Sequence, residues 1–216
     1  MRTLLALWRS PEVARVILGI GASATGTGLT VIWVARMTIP YTVYVSGLGA
    51  DGMPTSGGFA FALLSIAAGA GLIASRSTGV RPRFRWLATW PPAATLLFAG
   101  CCFAAASWAT CTAGCPVPLI DPASTMQDLV HTVTAVAGFA AACFAMLQVA
   151  FAQRSRMTAR VSAACCLSVA AITIAGGVLA ILKVAVDFGA WLELGGATLA
   201  LGWLVGFGVS LGRVRS

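Results

Sequence analysis

Apolar residues in this chain do not alternate with polar ones. They gather into six uncharged stretches at 16–35, 53–75, 86–110, 129–152, 161–182 and 194–212, each about 19 residues or more. Roughly 20 residues of α-helix cross a hydrocarbon layer about 30 Å thick. Backbone N–H and C=O groups in lipid find no water to bond, so each segment must satisfy its own, as a helix does. The pattern therefore predicts an all-α, polytopic membrane protein: one transmembrane domain over residues 1–216, a bundle of six transmembrane helices. Pro91 and Pro92 lie just inside the third stretch. Proline fits a first helical turn, where its missing N–H has no partner to lose, so this pair should mark the entry of the third helix.

The polar residues between the stretches fall into two unequal sets. Alternate connections collect Arg2, Arg9 and Arg15; Arg76, Arg81, Arg83 and Arg85; Arg154, Arg156 and Arg160; and Arg213 and Arg215. The other side holds only Arg36 and Lys183 among basic residues, but Asp51, Asp121, Asp128, Asp187 and Glu193 among acidic ones; Glu12 stands alone on the basic side. Short loops rich in Lys and Arg stay in the cytoplasm, so both termini are expected there. Trp33, Trp86, Trp90, Trp108 and Trp191 lie near the ends of the stretches, as in the aromatic belts of membrane interfaces. The first apolar run exceeds the 7–15 residues of a signal-peptide core, so it reads as a retained helix.

Composition agrees. Hydrophobic residues make up 59% of the chain and charged residues 9%, against roughly 25% charged in soluble domains. The net charge of +8 invites a nucleic-acid reading, which would want a basic patch with reading elements beside it. Here the arginines line helix ends instead, where each gains about 1 kcal/mol from anionic headgroups. Membrane lipids and, second, another membrane protein are the expected partners; no nucleic acid and no cofactor is expected. Arginine supplies 13 of the 14 basic residues and glycine 24 positions, a bias that points to a high-GC, bacterial genome and a cell-membrane location.

Within the stretches no acidic or basic side chain lies near a midplane, which disfavours ion-coupled transport. Gly202 with Gly206 and Gly208 with Gly212 have the spacing that lets helices approach closely. Thr25, Thr27 and Thr30 are expected to hydrogen-bond between helices.

Candidate chemistry collects on the acidic side. Cys111 and Cys115, four apart around Gly114, would face an oxidising compartment where disulfides persist, so a bridge is expected. A two-cysteine zinc site would lack the further ligands zinc requires; no metal is expected. The other five cysteines lie within stretches and act as small apolar residues. Ser124 or Thr125 can cap the fourth helix. Asp128 and His131, three apart, share one face of that helix; they would serve as a carboxylate-oriented base or as plain interfacial hydrogen-bonders. Asp51 sits between Ala50 and Gly52 in a long loop, of a kind that tends to be functional.

A resemblance runs through these loops. SGLGADGMP (Ser46 to Pro54), C-x-x-G-C-P (Cys111, Gly114, Cys115, Pro116) and H-x-x-x-A-x-x-x-F (His131, Ala135, Phe139) resemble the six-helix membrane family catalogued as domain of unknown function 998, itself distantly similar to DRAM-like membrane proteins. The resemblance implies a six-helix bundle with these motifs on its outer side, and no established reaction. Two places depart from it. Gly57, Gly58 and Phe59 stand where the family carries a polar residue, and Glu193 is followed by Leu194 where the family carries Arg.

Three functions follow as expectations. The first is a non-catalytic accessory, scaffold or lipid-interacting protein with an outward-facing loop cap, whose binding residues would come from Ser46, Asp51, Asp121, Asp128, His131 and Glu193. The second is an outer-leaflet enzyme acting on a lipid or envelope precursor, with Asp51, Asp128 and His131 as candidate catalytic residues. The third is a transporter of lipids or small molecules. A zinc hydrolase of the ceramidase-like type is excluded, because it needs several histidines and this chain has one.

Overall fold

The computed structural model describes residues 10–152 and 155–213. Arg2, Arg9, Arg154 and Arg215, part of the expected basic set, lie outside the described residues. The described chain is all-helical: α1 (Pro11–Thr38), α2 (Ser56–Arg76), α3 (Pro92–Trp108), α4 (Met126–Ala150), α5 (Arg156–Leu182) and α6 (Val186–Arg213), with one short turn at Arg85–Ala88 and a 3-10 turn at Ser46–Gly49. Five of these helices, all but α3, are long and apolar enough to cross a membrane.

The third stretch departs from the expected span. Only Pro92–Trp108, 17 residues, forms a continuous helix. Pro91 caps it in extended conformation and Pro92 occupies the first turn, as expected of the pair, but the two rings also cut off the preceding Arg85–Ala88 turn. The gap is held by Gln148, fully buried, whose Nε2 donates to the carbonyls of Leu87 (2.9 Å) and Trp90 (2.6 Å). α1, α5 and α6 start before their apolar stretches, whereas α2 starts at Ser56 and α4 ends at Ala150, each inside its stretch. α1 starts at Pro11 because Ser10 caps it, its hydroxyl accepting from the Val13 N–H at 3.3 Å. α6 starts at Val186 rather than 194, so Asp187 and Glu193, expected in a loop, lie on a helix. A helix can carry charged residues in an end turn that projects past the apolar layer, so hydropathy marks the span and not the helix.

Each helix packs against its neighbour in sequence, and α6 returns to α1, closing a ring. The α1–α2 seam is the tightest. A Cβ on Gly28 would stand 2.7 Å from the Ala62 carbonyl oxygen, and one on Gly69 would stand 2.6 Å from that of Gly21. Only hydrogen fits there, and the backbones meet as in small-residue membrane packing. The pairs on α6 are less uniform: Gly208 packs on Ile73, whereas Gly202 and Gly206 face open space. The threonines of α1 also differ from expectation. Thr25 and Thr30 donate to Gly21 and Gly26 of their own helix at 3.0 and 2.9 Å, because a hydroxyl four residues on is closer to its own carbonyl than any neighbour is. α5 is the outermost of the long helices, burying only Ser162, Val169 and Gly176, whereas α6 buries a face from Gly189 to Leu211.

Two apolar cores fill the ring. One, around Leu18, Ile73, Met146 and Leu211, lies toward the end that carries Arg15, Arg76 and Arg213. The other, around Ile32, Leu48, Phe59 and Leu194, lies toward the end that carries the acidic residues.

Candidate functional site

A cavity of about 80 Å³ runs along the ring's axis. Phe59, Leu63, Ile66 and Ala70 of α2 line it, as do His131, Ala135, Phe139 and Ala142 of α4. The same spacing recurs from Leu96 to Ala106 in α3 and from Glu193 to Leu204 in α6. Steps of three and four residues keep one helix face turned inward, so four helices contribute one stripe each. Eleven residues of helix rise give the lining a length of roughly 16 Å. Its walls are apolar except at one end, where Ser46, His131 and Glu193 stand. The bore is narrow and long, suited to part of one unbranched hydrocarbon chain.

Above that polar end lies a cap made from the connections at the acidic end. Glu193 anchors its first part: its carboxylate accepts from the backbone N–H groups of Val45 (2.6 Å) and Ser46 (3.4 Å) at the start of the 3-10 turn. Beside it, burial first and the Glu193 charge second push the Tyr44 hydroxyl above its ordinary pKa. Gly189 makes room for this tyrosine, since a Cβ there would come 2.5 Å from its hydroxyl oxygen.

The second part is the segment after α3. Cys111 and Cys115 form a disulfide, as expected, and Gly114 takes a φ of 83° that closes the small ring. Cys111 Sγ lies 3.6 Å from the Ser46 carbonyl oxygen, and the Asp51 N–H donates to the Cys111 carbonyl at 2.9 Å. The two loops are thus joined at the bridge.

Asp51, Asp128 and His131 all grip this segment, each at a different residue. His131, 4% exposed, donates from Nδ1 to the Ala109 carbonyl at 2.7 Å; a carbonyl only accepts, so the proton sits on Nδ1. Asp51 accepts from the Thr110 hydroxyl at 2.8 Å and from Gln127 Nε2 at 3.3 Å. Asp128, 1% exposed, accepts from the Thr112 N–H at 2.7 Å and hydroxyl at 3.0 Å, and from the Thr125 N–H at 2.7 Å and hydroxyl at 2.8 Å. Thr125 is the helix cap, as expected, and with Asp128 it forms a reciprocal capping box. The three side chains converge on one stretch of chain, residues 109–112. No hydrogen bond joins any two of them among the described residues.

Asp121 stands apart. It accepts from the Ala123 N–H at 3.1 Å and pairs with Lys183 at 3.0 Å; the Ala123 bond first and Lys183 second hold its pKa below the usual carboxylate value. Arg36, the other basic residue at this end, lies 5.3 Å over the Trp191 ring.

Sequence reading missed three features here. Gln127 bridges Asp51 and the Thr110 carbonyl (2.7 Å), and its position beside Asp128 was the available signal. Gln148 carried none beyond being a lone amide in an apolar run. The third is the meeting of the cysteine pair with the histidine: both sulfurs and a ring nitrogen of His131 lie within 4.8 Å of one another. Spacing along the chain hid this, because fifteen residues separate Cys115 from His131 and the capped turn folds them back.

At the opposite end, a groove of about 330 Å³ opens between α1 and α6, floored by Gly19, Gly208 and Gly212 and flanked by Arg15 and Arg213. Comparison with family models, with curated proteins and with solved structures finds no match.

Proposed function

We propose that this chain is a six-span protein of the cell membrane, both termini cytoplasmic, that acts as a non-catalytic, lipid-interacting accessory. In this reading it seats one hydrocarbon chain in the axial cavity beneath an outward-facing cap. The single observation that carries it is the cavity: four inward stripes, apolar along their length, ending at Ser46, His131 and Glu193. A polar head would meet these residues while its tail follows the bore. The sixth span is α3, whose 17 residues rise about 25 Å and reach most of a hydrocarbon layer, with the Arg85–Ala88 turn completing the crossing. The orientation follows from Arg15, Arg76 and Arg213 at one end and the acidic cap at the other.

Membership in the family of domain of unknown function 998 is part of this proposal. Ser46, His131, Ala135 and Phe139, four residues of the resembling motifs, all line the cavity. The groove flanked by Arg15 and Arg213 supports a second lipid contact, with an anionic headgroup of the inner leaflet. Asp51, Asp128 and His131 are each committed to the segment after α3, Asp51 through the Thr110 hydroxyl and the other two through backbone groups, which favours this reading over an acid–base site.

The test uses the full chain in phospholipid vesicles with a single-chain fatty acid bearing a photoreactive diazirine near its terminal methyl. Labelled peptides should come from the inward stripes, around Ala142 and Leu204, and the yield should fall at least about fivefold in Ala142→Phe, which plugs the bore. Labelling confined to the outward face of α5 would contradict the proposal. Tags at the two chain ends should be reached only from the cytoplasmic side.

A further inference from the structure

The geometry points to a zinc site in the reduced protein, formed by Cys111, Cys115 and His131. The three potential ligand atoms lie within 4.8 Å of one another. In a tetrahedral site with Zn–S near 2.3 Å and Zn–N near 2.0–2.1 Å, neighbouring ligand atoms stand roughly 3.5–4 Å apart. Broken from each other, the two sulfurs need to separate by less than 2 Å to reach that spacing, and the imidazole is already at hand.

An independent observation fixes the histidine for this role. Nδ1 gives its proton to the Ala109 carbonyl at 2.7 Å, so in the neutral ring Nε2 keeps a lone pair. Metal-bound histidines are held in just this way, with the second ring N–H donated to a backbone carbonyl or carboxylate. The position of Ala109 is itself secured, since the adjacent Thr110 and, three residues on, Thr112 are tied to Asp51 and Asp128. The turn can open: Gly114 has a φ of 83° and Cys115 one of 46°, a conformation costly for a side-chain-bearing residue outside a closed ring. Two thiolates and an imidazole select zinc over hard cations such as magnesium or calcium.

The set has three protein ligands. Asp128 is occupied by Thr112 and Thr125 and is no fourth ligand, so water or an incoming anion completes the tetrahedron, as at reactive zinc centres rather than structural ones. Loading needs prior reduction. A dithiol donor passes two electrons and two protons to the Cys111–Cys115 bond, which breaks as the donor's own disulfide forms. Zinc then binds the two sulfurs and releases both thiol protons to water. The bridge and the ion exclude each other, so metal occupancy reports the redox state of this end.

The experiment uses the full chain in detergent micelles with Cys101, Cys102, Cys143, Cys165 and Cys166 replaced by alanine, leaving Cys111 and Cys115 as its only thiols. After reduction by a trialkylphosphine and removal of the reductant, Co²⁺ is added as a spectroscopic stand-in. A thiolate-to-cobalt band and the intense visible absorption of four-coordinate cobalt should appear at one equivalent, be abolished by one equivalent of Zn²⁺, and be absent without reduction. His131→Ala and His131→Gln, the second keeping a donor for the Ala109 carbonyl, should both still form the disulfide in air, which checks folding, yet bind Zn²⁺ at least about tenfold more weakly. Reduced protein that gives no charge-transfer band, or either His131 variant binding as tightly as the parent, would overturn the site.

Discussion

At the acidic end, nearly every charged group has a named partner on a different element: Glu193 of α6 on Val45 and Ser46, Asp128 of α4 on Thr112, Asp51 on Thr110, Lys183 on Asp121. At the basic end the backbone does the connecting. The Arg83 N–H donates to the Phe151 carbonyl at 3.0 Å, Pro82 and Ala152 form an isolated bridge, and Gln148 closes the break before α3. The exposed arginines there, Arg15, Arg81, Arg83 and Arg85 among them, add up to a basic field, with Glu12 the sole acidic residue of that side. A field depends on the number of charges and tolerates exchange among them. A hydrogen-bonded cap depends on each member and tolerates almost none. Substitutions at the two ends should therefore behave differently, and the difference can be graded.

The largest effect is expected at Asp128. Its removal strands the N–H groups of Thr112 and Thr125, and an unsatisfied buried donor costs about 1–3 kcal/mol. Asp128→Ala should lower stability in detergent by about 3 kcal/mol, measured by chemical denaturation followed by tryptophan fluorescence. Asp128→Asn, which keeps one acceptor, should recover part of that. A loss below about 1 kcal/mol would mean that the cap is as tolerant as the opposite end. Next comes the disulfide. Closing so short a loop removes about 2 kcal/mol of chain entropy from the unfolded state, so reduced protein should unfold earlier by that margin, and Cys111→Ser should match it without reductant.

The basic end gives the contrasting result. Arg15→Gln, at an exposed position, should change stability by no more than about 0.5 kcal/mol. The double variant Arg15→Gln/Arg213→Gln should insert in the same orientation as the parent, since Arg76, Arg81, Arg83 and Arg85 remain. What should change is retention of anionic phospholipid during purification, by roughly fivefold in the double variant, read by mass spectrometry of co-purified lipid. If one arginine alone destabilised the fold as Asp128→Ala does, the contrast between the ends would collapse.

The same contrast explains what was legible in the sequence. The field could be read directly, because it is a count: arginines in alternate connections name one end whatever their contacts. Helix existence was equally plain from uncharged length, and the WPP entry and the Thr125 cap from residue chemistry. The cap's wiring was not plain. Nothing in local sequence says that residues 109–112 pass beside α4, so Asp51, Asp128 and His131 looked like three functional groups seeking a shared substrate, when each holds a different residue of that segment. Glu193 was placed in a loop because a carboxylate ends an apolar run, yet it sits on α6, where it secures the 3-10 turn. In both places the error arose where a polar side chain serves a distant element, which periodicity does not record.

The smallest effect is expected at Asp121, the one ion pair of the cap exposed to solvent, with the Lys183 side chain 57% exposed. Its carboxyl is held below the ordinary value by the Ala123 N–H and by Lys183, so the folded state favours the charged form. A depressed folded pKa contributes stability above the unfolded value, about 3.9, and loses it as pH falls through the folded value. The melting temperature of wild type minus that of Asp121→Asn should hence be small and constant above about pH 5 and close toward zero on further acidification. Raising salt to 1 M should shrink it at pH 7, since the Debye length falls to about 3 Å, while leaving the Asp128→Ala deficit unchanged because those bonds are buried. A gap that widened in acid would mean the pairing partner is not Lys183 but a group that gains charge there. The cap would then have to be redrawn around it.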